Sequence, residues 1–497
     1  MKRSILVGGV LLAGCAQSAW QGSLIGLGDL AGGSNYSEAY SISADGAVVV
    51  GYSLASSGGA GFRWTEAGGI ASTGDLFGGT ISSINRAVSG NGLVVVGASS
   101  SSTGWQASRW DSGGLSGLGD LAGGSFRSEA WATNSDGSVV AGEGNVAGGT
   151  ALFRWTTSGL VNLGDLAGGS SQATPTAMTP DGRWIAGYST GANGIQAFRH
   201  DSTAGWEALP FPTGSQGPSF AFGITSNGGV VVGAARFSAG DLRAVRWSGG
   251  TATEFLTPDP LRTESSAQGM SADGTRIVGY QKRGSGGEAI YHSTDFGTEL
   301  LIDVLRSSGA NVTGWNLFTA TAISADGKFV VGYGSSPQGW IQAYRGQIVD
   351  HLATGSVRLS GYLTSKPVRI RFLDPQSGLV RDTRTVTPNS SGEIRFRLMV
   401  HQSVKVLVDA AGSLVKSLGT LDAGQQTLAL GSINLLGGDI DADNSVTVFD
   451  YIALSGAFDK QRGEAGFLEA ADFDGDGQIT IFDYSVLSEN FDMTGDD

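Results

Sequence analysis

Two sets of aspartates near the C-terminus are the residues best placed to do chemistry. The first set is Asp439, Asp441, Asp443, Thr447 and Asp450; the second is Asp472, Asp474, Asp476, Thr480 and Asp483. In each, oxygen side chains stand at positions 1, 3, 5, 9 and 12 of a twelve-residue stretch. Alternation matters because every second side chain of a tight loop points inward. A hard cation such as Ca²⁺ takes six to eight oxygens at one centre, and carboxylates at this spacing supply most of them. Position 7 adds a backbone carbonyl, here from Ser445 and Gln478. Position 6 must turn sharply with positive φ. It is Gly477 in the second set and Asn444, the next most tolerant residue, in the first. The expectation is two Ca²⁺ ions, one per loop.

The ligand spacing is that of an EF-hand-type loop, and the match runs past the ligands. Each loop passes through Phe-Asp-Tyr into an apolar pattern: Tyr451, Ile452, Leu454, Phe458, and Tyr484, Val486, Leu487, Phe491. That spacing predicts a short amphipathic helix leaving each loop. Residues 447–459 and 480–492 agree at eight of thirteen positions. No comparable helix precedes either loop, and Gly437-Gly438 stands just before the first. Two loop–helix units without entering helices, each with Asp at position 12, resemble a bacterial dockerin domain. The resemblance implies docking to a cohesin-like partner and a link to polysaccharide breakdown. A free-standing calcium-stabilised cap is the other reading.

Charge agrees with this placement. The chain carries a formal −14, and residues 437–497 hold 15 acidic and 2 basic side chains, so the tail accounts for −13 of it. The remainder is almost neutral. No basic stripe exists to neutralise phosphates, which argues against a nucleic-acid partner.

The elements that carry this tail begin with an export-type N-terminus. Met1-Lys2-Arg3 is followed by an apolar stretch, Ile5–Ala13, too short to span a bilayer. Residues 1–22 are expected to form a signal segment. Leu12-Ala13-Gly14-Cys15 resembles a bacterial lipoprotein signal, which implies lipidation of Cys15 and a membrane-anchored, cell-surface or outer-membrane protein. Ordinary cleavage nearby, for example after Ala16, implies a secreted one. Either route is extracytoplasmic. Cys15 is the only cysteine, so no disulfide staples the chain.

Residues 23–353 carry a seven-fold repeat. Its core is an apolar residue, a polar one, any residue, Asp or Asn, Gly, two further residues, two apolar residues and Gly. The copies are Ile42–Gly51, Val88–Gly97, Thr133–Gly142, Met178–Gly187, Ile224–Gly233, Met270–Gly279 and Ile323–Gly332. Their last glycines are 46, 45, 45, 46, 46 and 53 residues apart. The Asp-Gly and Asn-Gly pairs predict hairpins with type I′ turns. Runs such as Val48-Val49-Val50 predict strands buried on both faces. A Phe-Arg-Trp-like strand follows each hairpin, as at Phe62-Arg63-Trp64, and its Arg and Trp are expected to stack between repeats. Next comes Leu-Gly-Asp-Leu or a relative, whose aspartates (Asp29, Asp75, Asp120, Asp165) read as turn residues holding their own backbone.

About four strands in about 46 residues is the size of a β-propeller blade. The fold expectation is mainly β: a seven-bladed β-propeller closed by an extra N-terminal strand at Leu24–Leu30. A β-helix or solenoid is the alternative. The repeat resembles the bacterial extracellular HAF repeat, with Gln196-Ala197-Phe198-Arg199 close to its name-giving motif. That resemblance implies an extracellular location and no particular activity.

Residues 354–436 lose glycine and gain alternation. Val368, Ile370 and Phe372 alternate with Arg369 and Arg371, and Ile394, Phe396 and Leu398 with Arg395 and Arg397. A small β-sandwich is expected, with the arginines on its solvent face. Residues 437–497 then form the small α-helical calcium-loop module.

No catalytic residues are assigned. None of the four histidines has metalloprotease spacing, and no nucleophile motif or phosphate loop is present. Glu38 and Glu129 hold equivalent repeat positions, which favours a structural or surface role. The leading reading is an exported, non-catalytic interaction protein. Its propeller would bind a partner or ligand, with a polysaccharide among the candidates. The alternative is a secreted propeller carbohydrate-active hydrolase or lyase addressed by its calcium module.

Overall fold

The computed structural model describes residues 21–496, apart from 216, 238–240, 255–263 and 285. Cys15 and the apolar stretch before it lie outside the described residues. The described chain divides into two compact units, one of residues 22–349 and one of residues 350–496 together with Gln21.

The first unit is built from antiparallel four-strand sets that follow the sequence repeat. Five are separate four-stranded sheets, and an eight-stranded sheet joins the first repeat's four strands to the last repeat's three and to Ser23–Gly26. The β-branched runs that open the second strands are buried as expected, with Val49, Val50, Val95, Val140, Val232 and Val330 all at most 1% exposed.

The turns depart from the sequence expectation. Glycine alone takes positive φ (Gly46 +76°, Gly92 +72°), and none of the preceding Asp or Asn residues does. Type I′ would need both. A wider loop forms instead. Gly46 N–H donates to the Ser43 carbonyl (3.0 Å) and Ser43 N–H to the Val48 carbonyl (2.9 Å). The Asp45 carboxylate accepts from Ala47 N–H (3.0 Å) and from the Ser43 hydroxyl (2.6 Å). The aspartate is there for its side chain, as an Asx-type brace.

Contacts between successive repeats recur, and the last repeat makes them with the first. Arg63 donates to the Gly92 carbonyl of the next repeat, Arg199 to Gly228, and Arg345 of the last repeat to Gly46 of the first (2.8 Å). Backbone bonds from Ala44 to Gly90 and from Ala272 to Ala325 are matched by one from Ala325 back to Ala44 (3.0 Å). Guanidinium–indole stacks follow the same rule: Arg63 on Trp110, Arg109 on Trp155, and Arg345 on Trp64. Ser23–Gly26 pairs antiparallel with Tyr344–Gln347. A seven-residue helix, α1 (Leu301–Ser307), fills the long last spacing, between the sixth and seventh copies, and packs in a core with Leu317, Val330 and Tyr344.

The second unit begins with two four-stranded sheets. Val368, Ile370 and Phe372 are fully buried, and the alternate Arg369 and Arg371 pair with Asp409. Arg397 corrects the solvent-face expectation. Its side chain is 4% exposed and paired with Asp350 at 2.8 Å. The sheets share one apolar core with the C-terminal module, in which Val406 and Leu435 join Leu454, Phe473 and Leu487. The polypeptide therefore packs continuously across residue 436.

Candidate metal centre

Two helices leave the two loops: α2 (Val448–Ala457) and α3 (Ile481–Glu489). Each starts at a threonine N-cap with a full capping box. Thr447 Oγ1 accepts from Phe449 N–H (3.2 Å) while the Asp450 carboxylate accepts from Thr447 N–H (2.8 Å). Thr480, Phe482 and Asp483 repeat this geometry at 3.2 and 2.8 Å. An acid in the first turn also suits the positive helix end.

Position 6 behaves as expected, with φ of +68° at Asn444 and +83° at Gly477. Gly477 N–H donates to Asp472 (3.2 Å), and Asn444 N–H to Asp439 (3.1 Å). Each loop thus folds back on its own first aspartate.

Asp439, Asp441 and Asp443 bring one carboxylate oxygen each to within 4.8 Å of one another, and so do Asp472, Asp474 and Asp476. Asp450 and Asp483 stand outside these triads. They are fully buried and brace the loop backbone: Asp450 Oδ1 accepts from Ile440 N–H (2.7 Å) and Asp441 N–H (3.2 Å), and Asp483 Oδ1 from Phe473 N–H (2.7 Å). Thr447 and Thr480 are engaged as helix caps. Ser445 and Gln478 donate their N–H groups to Asp443 and Asp476.

The residues fit a hard cation on two counts. The donors are all oxygen, the set that suits calcium and magnesium rather than softer metals. Asp439 is 5% exposed, and its Oδ1 has no hydrogen-bond partner among the described residues. A buried acceptor without a donor is costly unless something else satisfies it. The electrostatics agree. Burial, with the charges of Asp450 and Asp443 added, pushes the Asp439 carboxyl up to about 6. Burial also raises Asp472 and Asp483, the latter helped by Asp474 and Asp472. A bound cation reverses each of these pressures.

The two loops are not equivalent. Arg462 Nη2 lies 3.0 Å from Asp472 Oδ2 and 2.8 Å from Glu469. Lys366, which is 4% exposed, donates to the Glu469 carbonyl at 2.6 Å. Among the described residues, no cation pairs with Asp439. Nothing in the loop motif points to Lys366 or Arg462, because both come from outside it.

The exit helices expose apolar surface in matched positions. Phe449 is 65% and Phe482 62% exposed, with Val448 and Ile481 beside them in the same state. Tyr451 and Tyr484 meet edge-on, with ring centroids 6.0 Å apart.

Residues 437–492 match the family model described as Dockerin type I domain. No curated protein matches the chain. Among solved structures, a type II cohesin–X–dockerin complex from Acetivibrio cellulolyticus is similar at 15% identity and TM-score 0.25, covering 29% of this chain and 97% of that one. TolB from Acinetobacter baumannii is similar at 15% identity and TM-score 0.35, covering 52% and 65%. An oligogalacturonate lyase from Vibrio parahaemolyticus is similar at 9% identity and TM-score 0.39, covering 63% and 91%. At these scores none of the three transfers an activity. Among the described residues, no helix is long and apolar enough to cross a membrane. The C-terminal segment, with its paired acidic loops and exit helices, is a dockerin type I domain.

Proposed function

We propose that the chain is an extracytoplasmic docking protein. Its C-terminal module binds two Ca²⁺ ions, one through Asp439, Asp441, Asp443, Ser445, Thr447 and Asp450, the other through Asp472, Asp474, Asp476, Gln478, Thr480 and Asp483. The paired exit helices, with Phe449 and Phe482 exposed, present the docking face to a cohesin-like partner. The observation that carries this reading is the dockerin match over residues 437–492, which contains both acidic triads and both exposed helix faces. Such a face on a folded module marks an interaction surface.

The repeat unit is read as a seven-bladed propeller closed by Ser23–Gly26, because the last-to-first contacts repeat the contacts between inner neighbours. Full closure removes sheet edges. The unit is non-catalytic in this reading and displays a ligand site. The test is a pull-down from envelope extracts of the source organism with the full chain as bait. A partner retained in calcium, released by chelator and lost in Phe449→Ala/Phe482→Ala supports docking. Retention that ignores chelator and both substitutions refutes it.

A further inference from the structure

Seven copies of one strand allow the repeat to be compared with itself. Two residues before the apolar slot, the seven residues are Tyr40, Arg86, Trp131, Thr176, Phe222, Gln268 and Thr321. One place on, they are Ser41, two glycines and four alanines. Packing sets the second position and makes it uniform. The first position shares that packing environment, with all seven side chains half-buried, yet it holds seven residues of six kinds. All seven line one cavity of about 540 Å³, inside the roughly 300–1,000 Å³ of small-ligand sites. Structure alone gives no reason for that diversity.

The site is rigidly built. Arg86 is stacked 4.2 Å from the Trp131 ring and 5.4 Å from Tyr40, and its Nε donates to Glu129 at 2.6 Å. Glu129 is 4% exposed and also accepts from Trp105 Nε1 (3.2 Å). On the neighbouring strand Glu143 is the cross-strand partner of Glu129, and Thr174 donates to its Oε2 at 2.6 Å. Burial and the Glu129 charge both raise the Glu143 carboxyl. Tyr36 and Tyr40 both donate to Glu38. The Trp131 indole N–H is buried and has no hydrogen-bond partner among the described residues.

We infer that this cavity binds a neutral sugar chain. Tyr188 and Phe222, which Arg86 does not cover, offer faces for the C–H side of a pyranose. Arg86, the free Trp131 N–H and Gln268 offer both donors and acceptors for hydroxyls. Charge selects the class. The fixed Arg86 cation already covers the Tyr40 and Trp131 faces and repels an amine. Glu129 neutralises Arg86, and Glu38 and Glu143, which stand behind the lining rather than in it, then disfavour a carboxylate or phosphate. The inference rests on the closed ring proposed above.

The experiment is calorimetric titration of the full chain in calcium. The probes are gluco-, manno-, xylo- and galacto-configured neutral hexasaccharides, hexagalacturonate and a glucosamine hexamer. Saturable binding of at least one neutral probe is expected, weakened at least tenfold in Trp131→Ala. Gln268→Ala, which removes a polar lining side chain, is expected to weaken it at least threefold. Trp340→Ala, at an exposed residue that does not line this cavity, leaves binding unchanged. No binding by any neutral probe, tighter binding of either charged hexamer, or full binding by both cavity variants overturns the inference. Small-angle scattering of the same sample reports the ring separately. A closed ring that binds no neutral probe sinks only the sugar site, and an open stack sinks the ring.

Discussion

Asp450 and Asp441 belong to the same loop, yet the structure gives them different work, and their alanine variants should separate. Asp450 is fully buried and accepts three backbone N–H groups, at 2.7, 2.8 and 3.2 Å. A hydrogen bond to a charged group is worth about 1.5–3 kcal/mol, and a helix cap about 1 kcal/mol. Asp441 is exposed, so water recovers the Asp443 N–H when the carboxylate goes. Removing a buried charge also returns some desolvation energy. The net expectation for Asp450→Ala in chelator is a loss of about 2–4 kcal/mol. For a unit of this size, that lowers the melting temperature by about 5–15 °C. Asp441→Ala lies on the surface, and its Oδ1 accepts only a weak 3.3 Å bond, so its change in chelator stays within about 0.5 kcal/mol. Both variants lose calcium at the first loop. Ten of the eleven tryptophans lie in the repeat unit, the other is Trp20 of the N-terminal segment, and none lies beyond residue 340, so tryptophan emission follows chiefly the repeat unit. Scanning calorimetry paired with that emission therefore isolates the melting of residues 350–497. Equal melting of Asp450→Ala and wild type in chelator, or an equal loss in Asp441→Ala, refutes the division of roles.

Three further outcomes follow from the same geometry. The folded value of Asp439, about 6, lies above its unfolded value near 3.9, so without calcium the folded module binds the extra proton between them. Chelated stability should fall as pH rises from about 4 to 6 and level off above, with a smaller slope in Asp439→Asn; an equal slope in the variant contradicts this. Gly412 has φ of +79°, and a side chain there would meet the Ala470 carbonyl, so Gly412→Ala should cost the second unit about 3 kcal/mol in calorimetry without altering tryptophan emission. Deleting Ser23–Leu30 strips the strand paired with Tyr344–Gln347, and should lower the tryptophan-reported transition and promote aggregation, seen by light scattering, while calcium binding stays intact.

What was legible in the sequence follows from how local each signal is. The loop spacing, the positive φ at Asn444 and Gly477 and the two exit helices are set within twelve residues, and all are found. The repeat strands are likewise local, since a β-branched run beside a turn leaves little choice. The Asp-Gly turns misled because the dipeptide reports only that a turn exists. The serine two residues before and the N–H two residues after decide its kind. Arg397 misled because strand alternation cannot see Asp350, 47 residues away. Lys366 and Arg462 escaped notice for the same reason. The Arg86–Glu129 cluster had a readable trace, a repeat position that varies where its neighbour does not. Glu38 and Glu129 hold equivalent repeat positions, yet their partners differ: two tyrosines in one case, an arginine and a tryptophan in the other.

Calcium titration of the chelator-treated full chain, followed by calorimetry, tests the central claim most directly. Two ions per chain are expected, at dissociation constants of roughly 10⁻⁴ M or tighter for such charge-rich loops. Asp441→Ala and Asp474→Ala should each retain one ion, and the double variant none. Binding of one ion or none by the wild type, or two ions bound by the double variant, contradicts the account.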